Sequence, residues 1–281
     1  MRRMMLIVRW LLVVVGVILL TSFTVDATIG GGGFSQSALG ILARNIEDKT
    51  AGGCPEGMVR LGGDFSQVCV DSYEVSPGND CPEKNTLSSV ATSRNIATLP
   101  CLPVSQKDAA PWTFVTHYQA QELCARAKKR LLSNAEWYRA TVGTPDAVTP
   151  AACVIESDTL QRTGTKEMCV SGVGAYDMVG NAWEWVDGGV TDNRYADRAL
   201  PTSGYVAEAD LDGVVTKTSE VPEEAFKQDY FWTTETGAYG MLRGGSHGSR
   251  EDAGVFSLQA KTPLSFAGGS VGFRCAFDLS S

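Results

Sequence analysis

Histidine is almost absent: His117 and His247 are the only two in 281 residues. That scarcity excludes an iron or zinc centre built from several imidazoles. Cysteine is plentiful, eight in all, yet no C-x-x-C pair occurs and none lies between Cys169 and Cys275. Zinc ribbons and thioredoxin-like redox motifs are thereby excluded too. Positive charge is short as well, with 24 Lys and Arg against 32 Asp and Glu and a net charge of −8. Nucleic acid as a partner requires clustered Lys and Arg, so it is set aside. The longest apolar run, "WLLVVVGVILL" from Trp10 to Leu20, has eleven residues. It falls short of the ~20 that a spanning helix requires.

That run does resemble an export signal, because Arg2, Arg3 and Arg9 precede it and Val25-Asp26-Ala27 follows. Residues 1–27 therefore read as a cleaved signal peptide or a retained signal anchor. Either way the body of the chain is expected outside the cytoplasm, secreted or held at the membrane by this segment alone. An even set of cysteines agrees, since disulfides persist in oxidising compartments. Residues 28–53, opening on Gly30 to Gly33, read as a spacer.

The folded part is expected over 54–281. In "GMVRLGGDFSQVCVDSYEVS", Gly62-Gly63 separates two apolar stretches and marks a hairpin that Cys54 and Cys69 flank and can bridge. Thr116 with Gln119, and Ser133 with Glu136, form two capping boxes that open adjacent helices. Ala120, Leu123, Cys124 and Ala127 recur on one face of the first, which turns Cys124 inward. Beyond Gly143 no amphipathic helix is visible, and Gly, Pro, Thr, Asp and Ser suggest few strands and many loops.

Several segments, in order, carry a resemblance: "GMVRLGGDF", "DSYEVS", "PWTFVTHYQAQELCARAKKRLLSNAEWYRA", "GAYDMVGNAWEWV", "MLRGGSHGS" and "VGFRCA". Together they resemble the formylglycine-generating enzyme, or sulfatase-modifying factor, family. The resemblance implies an irregular α+β fold of C-type lectin-like character, one loop-rich domain stapled by disulfides. It implies a bridge between Cys124 and Cys275; proximity in sequence then suggests Cys153 with Cys169 and Cys81 with Cys101. It also implies a structural calcium ion held by the Asp177 and Glu184 side chains and the Gly180 and Ala182 carbonyls. Calcium favours such an oxygen-only set.

Family members that make formylglycine hold copper(I) between two cysteine thiolates after the "GGS" block, a soft-ligand site. Ser249 and Gly254 stand at those positions here, so copper is not expected, and no catalytic residue is assigned. The blocks "LRGGS", "AGVF" and "VGFRCA" persist, while the residues between them follow no helix or strand period. This division resembles surface receptors of the same fold whose C-terminal loops are rewritten by diversity-generating retroelements. It implies recognition loops within 242–276, with His247, Ser249, Arg250, Asp252, Gln259, Lys261 and Phe266 contacting a protein or cell-surface ligand. Two other readings stay open: a family oxidoreductase acting on a protein substrate by formylglycine generation or another chemistry, and a structural envelope protein.

Overall fold

The computed structural model describes residues 53–146 and 152–279. The expected signal or anchor at 1–27, and the spacer up to residue 52, lie outside the described residues. Cys54–Ser281 forms one compact unit. Its first part contains β1 (Met58–Arg60), β2 (Val68–Asp71), β3 (Val75–Pro77), α1 (Ser89–Ala97), β4 (Pro103–Ser105), α2 (His117–Arg126), β5 (Arg130–Leu131) and α3 (Asn134–Thr141). Strands then follow: β6 (Trp183–Thr191), β7 (Arg194–Tyr195), β8 (Arg198–Ala199), β9 (Gly204–Ala209) and β10 (Val215–Ser219). The last are β11 (Tyr230–Trp232), β12 (Ala238–Arg243), β13 (Leu258–Thr262), β14 (Val271–Phe273) and β15 (Cys275–Asp278).

Local chemistry explains the first elements. β1 and β2 form the expected antiparallel hairpin, Met58 opposite Asp71 and Arg60 opposite Cys69. Its turn runs through Gly63 at φ 61°, a left-handed conformation that glycine adopts without steric cost. Both capping boxes close reciprocally: Thr116 accepts from the Gln119 amide and Gln119 from the Thr116 amide, and Ser133 and Glu136 repeat the exchange. Each N-cap stabilises its helix by about 1 kcal/mol. α2 buries Ala120, Leu123 and Cys124, and α3 buries Trp137 and Ala140.

Helix α1 had no visible apolar period, because its inward face is polar. Thr92 donates to the Thr113 carbonyl at 2.8 Å, and Asn95 donates to Glu83 O at 2.8 Å. Ser88 caps it by accepting from the Ala91 amide.

The expectation of few strands after Gly143 is corrected. A large sheet runs in the order β10-β9-β11-β13-β12-β6-β7-β8, with β14 beside β6. Its middle is covered on both faces. Trp185 and Leu242 belong to one apolar cluster, and their chain neighbours Val186 and Met241 to another. A strand buried on both faces shows no alternation of apolar and polar residues, so the pattern is hidden in sequence. A second sheet, β1-β2-β15-β5, joins the start of the unit to its end. Four disulfides staple the whole: Cys54–Cys69, Cys81–Cys101, Cys124–Cys275 and Cys153–Cys169.

Candidate functional site

Between the small sheet and β6 lies a buried charge cluster. Arg274, in the break between β14 and β15, is fully buried. Its guanidinium grips Glu184 through Nε at 2.7 Å and Nη2 at 2.6 Å, and donates to the Asp71 and Tyr176 carbonyls. Trp137 Nε1 donates to Glu184 Oε2 at 2.7 Å, so both Glu184 oxygens are satisfied. Asp177 accepts from the Gly164 amide, and Glu74 accepts from Asn181 Nδ2 and the Ala182 amide. Burial pushes the Asp177 carboxyl up to about 6. Burial, then the charges of Asp177 and Glu184, hold Glu74 well above the carboxylate range.

This geometry bears on the expected calcium set. Glu184 is already neutralised by a cation, and Asp177 turns to a loop amide. Gly180 lies at φ 79° against the Val154 carbonyl, and its amide donates to Gly244 O. Among the described residues no three His, Cys, Asp or Glu side chains assemble as a metal-holding group. Both side chains of the expected calcium set are thus engaged within the protein, Glu184 by Arg274 and Asp177 by the Gly164 amide.

At the family's copper positions the backbone is equally committed. Ser249 closes a turn: its Oγ accepts from the Ser246 amide at 2.9 Å and its amide donates to Ser246 O at 3.0 Å. Gly254 has no room for a side chain, since a Cβ there would overlap Asp229 Oδ1. All eight cysteines are in disulfides, leaving no thiol.

The candidate ligand residues do not converge on one spot. His247, Ser249, Arg250 and Asp252 lie on the long β12–β13 connection, which leaves the sheet beyond Arg243 and returns at Leu258. That connection packs on the 154–157 segment: Ser157 N donates to His247 O at 2.7 Å and Arg250 N to Ile155 O at 2.8 Å. His247 Nδ1 also bonds Ser157 O, which ties the ring to the scaffold. Phe266 sits past the opposite end of the β12–β13 pair, 46% exposed in the turn after Pro263. His117, the other histidine, is buried on α2 with Nε2 at the Val186 carbonyl.

The reading of 242–276 as period-free loops is corrected at Gln259 and Lys261, which occupy β13. Leu258, Ala260 and Thr262 face inward there, while Gln259 is half-buried and Lys261 exposed. Beside Gln259 in register stands Trp232 of β11. Trp232 belongs to an aromatic row unrecognised from sequence: its ring lies 5.7 Å from Trp183 and 4.8 Å from Tyr230, and Tyr230 lies 5.2 Å from Tyr205. Tyr205, Tyr230 and Trp232 are half-buried. The available signal was "DYFW", in which a buried Phe231 separates two half-buried aromatics. Such rings offer large apolar area with a polar tip, which suits recognition surfaces.

Residues 67–279 match the family model described as the sulfatase-modifying factor enzyme 1-like domain. No curated protein matches the chain. Among solved structures, the Major Tropism Determinant I1 variant is 17% identical, with 80% of this chain and 53% of that chain covered and a TM-score of 0.45. This chain thus spans about half the length of that protein. Treponema denticola variable protein 1 is 16% identical over 82% and 97% of the two chains, TM-score 0.45. PvdO from Pseudomonas aeruginosa is 14% identical over 79% and 90%, TM-score 0.42. The family match covers well over half of the sequence, and the chain belongs to the sulfatase-modifying factor enzyme 1-like family.

Proposed function

We propose that this chain is an extracytoplasmic ligand-binding domain that recognises a protein or cell-surface ligand and lacks formylglycine-generating chemistry. The observation that carries the reading is the division of labour along β13. Leu258, Ala260 and Thr262 anchor the strand, while Lys261 is exposed and Gln259, half-buried beside the aromatic row, accepts from Thr262 Oγ1. Scaffold and recognition residues alternate within one strand, so the outer ones can change without disturbing the core. Ser249 and Gly254 support the loss of copper chemistry, because soft thiolates are needed to hold copper(I). Four disulfides support an oxidising compartment. No helix among the described residues is long and apolar enough to cross a membrane, so attachment would rest on the N-terminal segment.

Sequencing the codons for residues 242–276 across a natural population tests the reading. Variation confined to Gln259, Lys261, Phe266 and exposed positions of the β12–β13 connection, with Leu258 and Ala260 constant, is the expected outcome. Variation spread evenly over inward and outward positions would refute a diversified recognition surface.

A further inference from the structure

Beneath the β12–β13 connection two acids meet with no salt bridge among the described residues. A Cβ on Gly254 would overlap Oδ1 of Asp229 and stand 2.6 Å from Oδ1 of Asp146, so both oxygens converge on one point. Asp229 is 1% exposed, and its Oδ1 has no hydrogen-bond partner. Among the described residues neither aspartate makes a salt bridge. The second Asp229 oxygen holds the root of the connection. Asp229 Oδ2 accepts from the Phe256 amide at 2.6 Å. Arg243 Nη1 grips the Phe256 carbonyl from the other side at 3.4 Å.

We propose that Asp146 and Asp229 share one proton, forming an acid–carboxylate latch for the root of the 244–257 connection, and that loss of this proton loosens it. Two carboxylates this close, Asp229 buried and Asp146 half-buried, cannot both ionise cheaply, and one proton between them satisfies the orphaned oxygen. Burial, then the charge of Asp146, pushes Asp229 well above the carboxylate range. Burial pushes Asp146 up to about 6, against the pull of the Val255 amide and Lys227. The pair titrates as a unit. The charged and titratable groups facing it are Lys227 and Arg243, with Tyr138, Asp210 and Tyr195 behind Arg243. Burial pulls Arg243 down to about 10, so it stays cationic below that pH and does not set the transition.

The sign follows from the raised values. The first proton leaves the pair as pH rises through about 6, and the shared one leaves only at higher pH, because Asp229 is held well above the carboxylate range. The stability that protonation contributes is full below the unfolded value of about 4 and declines as pH rises through each step. The connection stays latched while one proton remains and loosens as the second leaves. Its use in recognition rests on the proposed function; the latch itself is tested without any ligand.

The experiment is limited trypsin digestion of the full chain in chelator between about pH 6 and pH 9, above the first step of the pair, normalised to a peptide substrate, with cleavage after Arg250 followed by mass spectrometry. Cleavage reports opening of the connection. The normalised rate is expected to rise about tenfold or more across this range, one decade for each pKa unit lost. In Asp146→Asn, and in Asp229→Asn as a second variant, the rise should vanish. A flat profile in the parent chain, or an unchanged rise in both variants, overturns the latch. A rise that added calcium suppresses overturns it in favour of a bound cation.

Discussion

Arg274 shows how much can depend on one buried charge. Its guanidinium is the cation facing Glu184, and the charges of Glu74 and Asp177 act on it as well. Arg274→Met should therefore destabilise the fold by about 3–5 kcal/mol, because removing one partner strands buried carboxylates. In a chain of this size that is a fall of roughly 10 °C in thermal midpoint, read by circular dichroism. The same geometry predicts that calcium or a chelator leaves the midpoint of the parent chain unchanged, because Glu184 is already paired. A calcium-dependent rise would restore the expected oxygen site. Asp177 and Glu184 were legible in the sequence as acids inside an apolar block. Their partner was not, because it lies ninety positions further on and only the fold brings the two together.

At the scale of elements, the capped helices and the first hairpin were legible because each is specified by residues three to thirteen positions apart. The large sheet was hidden for two reasons. Its central strands are buried on both faces, and its neighbours are far apart in sequence, as where β14 runs parallel to β6. The alternation on β13 was present in "LQAKT" but is too short to separate from a loop. The bridge Cys124–Cys275 ties α2 to β15 across 151 residues. Cys124→Ser with Cys275→Ser should cost about 2–5 kcal/mol, measured as a lower denaturation midpoint in urea. Gly254→Ala tests the packing beneath the connection. Its methyl group has no place beside Asp229, so a loss of about 1–3 kcal/mol is expected, larger than an exposed loop position would show.

For the molecule as a whole, recognition and stability should separate. Lys261→Glu with Phe266→Ala changes only exposed residues, and the thermal midpoint should move by no more than about 1–2 °C. Affinity for a ligand captured by the parent chain should fall at least about tenfold, a loss of 1.4 kcal/mol. A large fall in stability would show that these residues belong to the scaffold. The candidate site itself was only half legible: the loop residues were named from the sequence, whereas the aromatic row needed β9, β11 and the start of β6 to be brought into one sheet. β15 lies between β2 and β5, so the small sheet is complete only once residues 275–278 have been synthesised. A chain cut short between Cys124 and Cys275 would leave Cys124 without its mate. Every such copy would carry a reactive sulfhydryl that its paired counterpart lacks, a chemical tag by which thiol-based quality control can tell them apart.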